Sequence, residues 1–211
     1  MLLNDIDEKC RVLAQLFNEI SQGRKQILEK IAGEIQIKVR ENKDINLMYV
    51  CTHNARRSHF GQIWSAVAAA YYKVPNVKTF SGGVEVTSFH PSAIKALESI
   101  GFQINKISDG ENPFYEVYYN DAAPLLCFSK EVTHEVNAQD EFIAIMVCGE
   151  AEQNCPFIPS ASMRISTTYE DPKKYDDTPV ELFEYVKSSL LIGLECLYLY
   201  SFINKGLSNF S

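Results

Sequence analysis

Residues 45–58 read INLMYVCTHNARRS, and this stretch decides the fold of the chain. Its first six residues form a short apolar run, which is typical of a strand buried inside a sheet. The next seven residues begin with Cys51 and form a polar loop. An amphipathic segment with apolar residues at helical spacing follows at residues 58–72. A buried strand, a short loop and a helix in this order form the repeating unit of α/β proteins.

The chain after this unit continues to alternate strands and helices. Apolar runs predict further strands at residues 77–80, 124–128 and 142–148. Residues 90–100 form a helical pattern that Pro91 opens and Gly101 closes, and both residues are typical of those positions. A long apolar helix reaches to about Asn204. We therefore expect a three-layer α/β sandwich around a mostly parallel four-stranded sheet.

The first 44 residues predict an N-terminal helical extension, and residues 45–205 predict the catalytic domain. Apolar side chains from Ile6 to Ile20 and from Ile27 to Ile35 recur at spacings of three and four, which places them on helix faces. Two uses of these faces are open. They pack on the core of the same chain, or they pair with a second copy in a homodimer.

Composition excludes several classes of protein. The 211 residues include 20 Lys and Arg against 27 Asp and Glu, a formal charge of -7, which disfavours general nucleic-acid binding. The most apolar stretch, residues 188–203, contains Glu195 and is too short for a membrane span. The first nine positions contain acidic residues, whereas a secretory signal begins with basic residues and an apolar run. We therefore expect a cytoplasmic protein whose six cysteines are reduced thiols.

The loop after the first strand has the pattern C-x5-R from Cys51 to Arg57, followed by Ser58. A short loop can point successive backbone N–H groups at one anion, and the helix N-terminus adds positive partial charge. Arg57 can bind two oxygens of a tetrahedral oxyanion, and the same field favours the thiolate form of Cys51. The predicted oxyanion-binding residues are Thr52, His53, Asn54, Ala55, Arg56 and Arg57. The alternative for Cys51 is a buried cysteine at a strand end with no chemical role.

These residues resemble the low-molecular-weight protein tyrosine phosphatase superfamily, and more narrowly its thioredoxin-coupled arsenate reductases. The resemblance covers about residues 45–203. It includes the loop from Cys51 to Ser58, Trp64 on the next helix, the turn at residues 81–83, the helix at residues 90–100 and the turn Ser108-Asp109. The family has two redox cysteines and then an Asp-Pro; here Cys148 and Cys155 are seven positions apart, and Asp171-Pro172 begins sixteen residues later.

The resemblance implies catalytic roles for Cys51, Arg57, Ser58, Asp171, Cys148 and Cys155. As an arsenate reductase, Cys51 attacks arsenic, Cys148 attacks the sulfur of Cys51, and a Cys148–Cys155 disulfide is left for thioredoxin to reduce. The runner-up is a phosphatase that hydrolyses phosphotyrosine through a phosphocysteine, with Asp171 as the acid. A third hypothesis is an oxyanion sensor without turnover. The ligands implied are arsenate, phosphate or phosphotyrosine.

Simpler interpretations exist for each downstream residue. Cys148 ends an apolar strand and can be part of the core, and Asp171 can cap a turn before Pro172. A zinc site at Cys148 and Cys155 needs a second ligand pair, and the sequence shows none at suitable spacing. We therefore predict no metal among the site residues and no tightly bound cofactor.

Three positions depart from the family pattern. His53 stands where the family usually has glycine, and Arg56 stands where it has a second cysteine. Arg56 either adds charge near the site or points into solvent. The resemblance also implies a possible potassium site formed by Asn54, Ser81 and Asp109. Gln62 replaces the glutamate that helps this site, which weakens its attraction for a cation.

Overall fold

A computed structural model of the chain describes residues 1–149, 151, 158 and 160–208. In chain order the elements are α1 (Asn4–Ala14), α2 (Gln22–Arg40), β1 (Ile45–Cys51), α3 (Arg57–Tyr71), β2 (Val77–Gly83), α4 (Pro91–Ile100), β3 (Gln103–Lys106), β4 (Tyr115–Tyr118), β5 (Leu125–Cys127), β6 (Phe142–Met146), β7 (Ala161–Ser166) and α5 (Glu181–Ser208). Short 3-10 turns lie at Phe17–Glu19 and Pro172–Tyr175.

The central sheet has four parallel strands in the order β2-β1-β6-β7, and helices flank it. In the two interior strands, β1 and β6, all but one residue is buried, which explains why they appear in the sequence as apolar runs. Val50 pairs with Gly82 on one side and Met146 on the other, so the carboxyl ends of these strands meet at one edge. The predicted α/β sandwich with a four-stranded parallel sheet is confirmed.

Two strand predictions need correction. The apolar run at residues 124–128 belongs to a separate antiparallel sheet of order β3-β4-β5, because apolarity predicts burial but not the pairing partner. The fourth parallel strand is instead β7, which the apolar patterns did not reveal. It lies at the edge of the sheet, and none of its residues is fully buried, so it can contain polar residues such as Arg164. A further difference is that β2 continues through the predicted turn at residues 81–83.

Helix α5 is the element on which the other helices pack. It contacts α1, α2, α3 and α4. The indole N–H of Trp64 donates to Ser189 Oγ at 2.9 Å, and a Cβ on Gly193 would lie 2.7 Å from the Trp64 ring. Glycine at position 193 therefore permits the close approach of α3 and α5.

The two N-terminal helices bury their apolar faces within this chain. Their buried side chains are Ile6, Cys10, Leu13, Leu28, Ile31, Ala32 and Ile35. Gln36 donates from Nε2 to the Phe202 carbonyl at 3.0 Å, which ties α2 to α5. The Leu3 N–H donates to the Tyr119 carbonyl at 3.0 Å. The two N-terminal helices therefore pack on the core of the same chain, which is one of the two arrangements that the sequence predicted.

Among the described residues, one helix has the length and composition of a membrane span. It comprises Glu181–Gly206, and 61% of its apolar window is buried inside the protein. The apolar stretch at residues 188–203 lies inside this helix, which extends past it on both sides. A mostly buried core helix meets the same criterion, so the helix is weak support for a membrane role.

Candidate active site at the carboxyl edge of the parallel sheet

The predicted oxyanion loop lies at the carboxyl edge of the sheet. Cys51 is the last residue of β1 and Arg57 is the first residue of α3. The chain leaves β1 towards β2 on one side, while β6 and β7 lie on the other. Open α/β sheets bind ligands in the crevice at such a reversal of strand order, here between β1 and β6.

The backbone of the loop is shaped by Asn54 and by its contact with β2. Asn54 has φ 45°, a left-handed conformation that asparagine tolerates better than most residues. The Thr52 carbonyl accepts from the Val84 N–H at 2.8 Å. A Cβ on Gly83 would lie 2.8 Å from both Asn54 N and the Thr52 carbonyl oxygen. Gly83 is therefore required for the loop to rest against the end of β2.

A short chain of hydrogen bonds ends at the Cys51 sulfur. Asn54 donates from Nδ2 to Ser58 Oγ at 2.8 Å, and Ser58 Oγ lies 3.0 Å from Cys51 Sγ. Asn54 and Ser58 are fully buried, and Cys51 is 5% exposed. Because Ser58 Oγ accepts from Asn54, its own proton is free to point at the sulfur. This is the arrangement that stabilises a thiolate.

Arg57 and Asp171 form an ion pair, from Nη2 to Oδ2. Nη1 of Arg57 also donates to the Tyr169 carbonyl at 2.8 Å. Oδ1 of Asp171 accepts from the Lys173 N–H at 3.0 Å and caps the turn that begins at Pro172. Both interpretations of Asp171 are therefore compatible, since one carboxylate caps the turn and faces the loop arginine.

The two unusual loop residues contact carboxylates outside the loop. His53 lies 3.3 Å from Glu85 Oε2 through Nε2, and its side chain is 39% exposed. Arg56 donates from Nε to the Tyr185 hydroxyl at 2.7 Å and pairs with Asp176 at 3.2 Å. Its side chain is only 11% exposed, so it does not point into solvent. Arg56 thus fixes the loop to the first turns of α5.

Cys148 lies beside the loop. It follows β6, it is 1% exposed, and its sulfur is 3.4 Å from Thr52 Oγ1. The Ala151 N–H donates to the same sulfur at 3.4 Å. Cys155 lies outside the described residues. The fold thus brings Cys51 and Cys148, which are 97 positions apart in the sequence, to the ends of neighbouring strands.

The predicted turn Ser108-Asp109 does not reach the site, which corrects that assignment. The Asp109 side chain is fully exposed and pairs with Lys106 at 2.8 Å. The residues that reach the loop instead are Ser129 and Lys130, which follow β5. The Lys130 N–H donates to Asn54 Oδ1 at 2.9 Å, and Ser129 Oγ donates to the His53 carbonyl at 2.8 Å.

Lys130 was missed by the sequence analysis because a single lysine carries no pattern. It is 2% exposed, and burial lowers the pKa of its ammonium from 10.5 to about 8. The nearest sequence signal would have been Phe-Ser-Lys directly after an apolar strand, at the position where a second loop meets the sheet edge.

Arg24 was also missed, because it belongs to the N-terminal extension. Its Nη2 donates to the Thr168 carbonyl at 2.7 Å, and its Nε lies 3.2 Å from Glu195 Oε1. Its guanidinium carbon lies 5.1 Å from the centre of the Tyr169 ring. The Tyr169 hydroxyl donates to Glu195 Oε2 at 2.6 Å. Helix α2 therefore holds the segment that leads to Asp171.

The site opens as one small pocket that adjoins a larger cavity. The small pocket is lined by Cys51, Thr52, His53, Ala55, Arg56, Arg57 and Asp171. The larger cavity, of about 410 Å³, includes Tyr169, Asp171, Pro172, Lys174, Tyr175, Lys187 and Leu191 in its lining. Asp171 lies between the two. Within the described part of the chain, no cluster of three or more His, Cys, Asp and Glu side chains has the arrangement of a metal site.

Curated proteins with similar sequences are arsenate reductases. The chain is 26% identical over 145 residues to the arsenate reductase of Bacillus subtilis (strain 168), covering 69% of this chain and 85% of that protein. It is 25% identical over 140 residues to the arsenate reductase of Halalkalibacterium halodurans, covering 66% and 82%. The chain is similar to arsenate reductases. No family model matches it.

The solved structures that match this chain by superposition include phosphatases and a reductase. A YwlE mutant from Bacillus subtilis matches with TM-score 0.49 and 16% identity over 78% of this chain and 99% of its own. An arsenate reductase in the oxidised state matches with TM-score 0.44 and 17% identity over 76% and 97%.

Proposed function

We propose that this chain reduces arsenate with a relay of three thiols, Cys51, Cys148 and Cys155. The observation that supports it most directly is the position of Cys148, whose sulfur lies 3.4 Å from Thr52 Oγ1 in the loop that Cys51 begins. A phosphatase needs no second thiol at this place. The similarity to curated arsenate reductases favours the same reaction.

In the first step the Cys51 thiolate attacks arsenic. A new S–As bond forms, and one oxygen of arsenate leaves as water after protonation. In this proposal Asp171 supplies that proton, and the loop N–H groups together with Arg57 hold the remaining oxygens. Arg57 must first exchange its contact with Asp171 for the oxyanion, because both use the same guanidinium edge.

In the second step the Cys148 thiolate attacks the Cys51 sulfur. The S–As bond breaks, and its electron pair goes to arsenic, which is reduced from As(V) to As(III) as arsenite leaves. The two thiols are oxidised to a Cys51–Cys148 disulfide. Cys155 then attacks the Cys148 sulfur, Cys51 leaves as a thiolate, and a thioredoxin-type dithiol reduces the Cys148–Cys155 disulfide.

The test is arsenate-dependent NADPH oxidation in the presence of thioredoxin and thioredoxin reductase. Turnover should vanish in Cys51→Ser, Cys148→Ser and Cys155→Ser. In a single turnover without thioredoxin, Cys155→Ser should release one arsenite and accumulate a Cys51–Cys148 disulfide, which peptide mass spectrometry identifies. Cys148→Ser should release none.

The matched control is Cys10→Ser, which changes a fully buried thiol of α1 outside the proposed relay. It should keep turnover. Full arsenate turnover in Cys148→Ser, or hydrolysis of aryl phosphates with no arsenate reduction in the unaltered protein, would contradict the relay.

A phosphatase is the second candidate, and the cavity beside Asp171 favours it. Its volume of about 410 Å³ and its lining of Tyr175, Leu191 and Lys187 could receive an aromatic leaving group such as phosphotyrosine. Cys51 would then form a phosphocysteine that water hydrolyses, with Asp171 as acid and later base. Cys148→Ser and Cys155→Ser would keep this activity, so the same variants separate the two candidates.

The proposal divides the chain into an N-terminal helical extension, residues 1–44, and a catalytic domain, residues 45–205. It places the enzyme in the cytoplasm, where thiols stay reduced. A homodimer through the N-terminal helices would have to use their exposed apolar side chains, Val12, Leu16 and Ile37. Sedimentation of Val12→Glu against the unaltered chain tests that association.

A further inference from the structure

The cation site that the family resemblance implies does not fit this chain. Asp109, the carboxylate expected in it, is fully exposed, whereas Asn54 and Ser81 are fully buried. Gln62 is neutral where a second carboxylate was expected. Its Oε1 is buried and has no hydrogen-bond partner among the described residues. The expected oxygen ligands thus lack both negative charges that would attract a potassium ion.

The ammonium of Lys130 lies beside Ser81 instead. Lys130 Nζ is 3.4 Å from Ser81 Oγ and 3.3 Å from the Phe128 carbonyl oxygen. It also lies 4.7 Å from the centre of the Phe128 ring, within the range of a cation–π contact. A hydroxyl oxygen and a carbonyl oxygen are ligands that a monovalent metal ion would also use. Lys130 is 2% exposed, so these contacts of its ammonium lie inside the protein and not at its surface.

No carboxylate of the described residues forms an ion pair with Lys130. A buried cation without a counter-ion is costly, because burial removes its hydration. The buried ring of His59 on α3, whose Nδ1 lies 3.3 Å from Ser81 Oγ, carries no negative charge and is no counter-ion either. An apolar side chain would fill this part of the core at lower cost, so we expect the charge of Lys130 to have a role beyond packing.

The same residue determines the direction of the hydrogen bonds that end at Cys51. The Lys130 N–H donates to Asn54 Oδ1 at 2.9 Å. Because a backbone N–H needs an acceptor, the amide oxygen of Asn54 must face Lys130. Asn54 Nδ2 must then donate to Ser58 Oγ at 2.8 Å, and Ser58 can donate to the Cys51 sulfur. Lys130 therefore meets the loop through its backbone and supports the strand β2 behind it through its ammonium.

We propose that the Lys130 ammonium replaces a monovalent cation behind the oxyanion loop, so that the order of the loop does not depend on potassium. Lys130 is a positioning residue: its ammonium contacts Ser81 of β2, against whose end the loop rests, and its backbone N–H holds the Asn54 amide in the loop. The proposal concerns the loop and not the reaction that follows, and it holds for a reductase and for a phosphatase alike. Its failure is therefore distinguishable from failure of the proposed function.

The experiment measures alkylation of Cys51 by iodoacetamide at pH 7, with the adduct quantified by peptide mass spectrometry. Each protein is measured in KCl and in tetramethylammonium chloride at equal ionic strength. The unaltered chain should react at the same rate in both salts. Lys130→Met should react about threefold more slowly in both, because Ser81 and the Phe128 carbonyl lose their hydrogen-bond donor and the loop loses the support behind it. Lys78→Met, which removes an exposed charge of β2, is the control and should react normally.

The decisive variant restores the carboxylates, as Lys130→Asp with Gln62→Glu. Potassium should accelerate its alkylation by about threefold or more and raise its melting temperature, because two carboxylates now attract the ion. Lys130→Arg keeps the charge and should remain indifferent to potassium, which keeps the test decisive if Lys130→Met fails to fold. A potassium response of the unaltered chain, or none in the double variant, overturns the proposal.

Discussion

Replacing Ser58 with alanine isolates the hydrogen bond that the structure directs at the Cys51 sulfur. Ser58 Oγ lies 3.0 Å from Cys51 Sγ, and both atoms belong to buried residues. A hydrogen bond to a charged group contributes about 1.5–3 kcal/mol, so without it the Cys51 sulfur should be alkylated roughly 10-fold to 150-fold more slowly at neutral pH.

The assay is the rate of Cys51 alkylation by iodoacetamide between pH 4 and pH 9. Ser65→Ala is the matched control. Ser65 lies on the same helix, is equally buried, and pairs with the Tyr200 hydroxyl at 2.9 Å, so its removal costs a hydrogen bond without touching Cys51. Ser58→Thr retains the hydroxyl and should recover most of the profile. Equal alkylation rates of Ser58→Ala and Ser65→Ala would refute the role assigned to Ser58.

Three further predictions concern the surroundings of the loop. Arg24→Met leaves the buried carboxylate of Glu195 without its cation, so we expect a loss of about 3–5 kcal/mol in chemical denaturation and lower turnover at temperatures where the variant is folded. Asp171→Asn removes the partner of Arg57, so inorganic phosphate should inhibit about threefold more strongly, while any hydrolysis of phenyl phosphate falls about 100-fold in steady-state assays. Burial raises the pKa of the Cys127 thiol from 9.0 to about 12, so its stabilising contribution is complete below pH 9 and is lost as the pH rises towards 12. Cys127→Ala should therefore show a slope of unfolding free energy against pH that is shallower by about 1.4 kcal/mol per unit between pH 9.5 and 10.5; equal slopes would contradict this assignment.

The sequence by itself determined the features that depend on neighbouring residues. The strand from Ile45, the loop from Cys51 and the helix from Arg57 are continuous, so apolar spacing and loop composition were sufficient to predict them. The interior strands β1 and β6 were predicted for the same reason, since burial on both faces demands an unbroken apolar run. Cys51 and Arg57, the two ends of the pattern C-x5-R, line one small pocket, and the binding of an oxyanion there stays a prediction.

Only the tertiary structure decided which distant segments meet this loop. The apolar run at residues 124–128 specified a buried strand but not its sheet, and the edge strand β7 needed no apolar run at all. Strands β3, β4 and β5 displace Asp109 from the site and bring Lys130 to Asn54. Such contacts join residues far apart along the chain, and their energy depends on burial and geometry that no local pattern records. The sequence was sufficient to single out the thiol of Cys51, whereas the position of the Lys130 ammonium behind its loop depends on the folded chain.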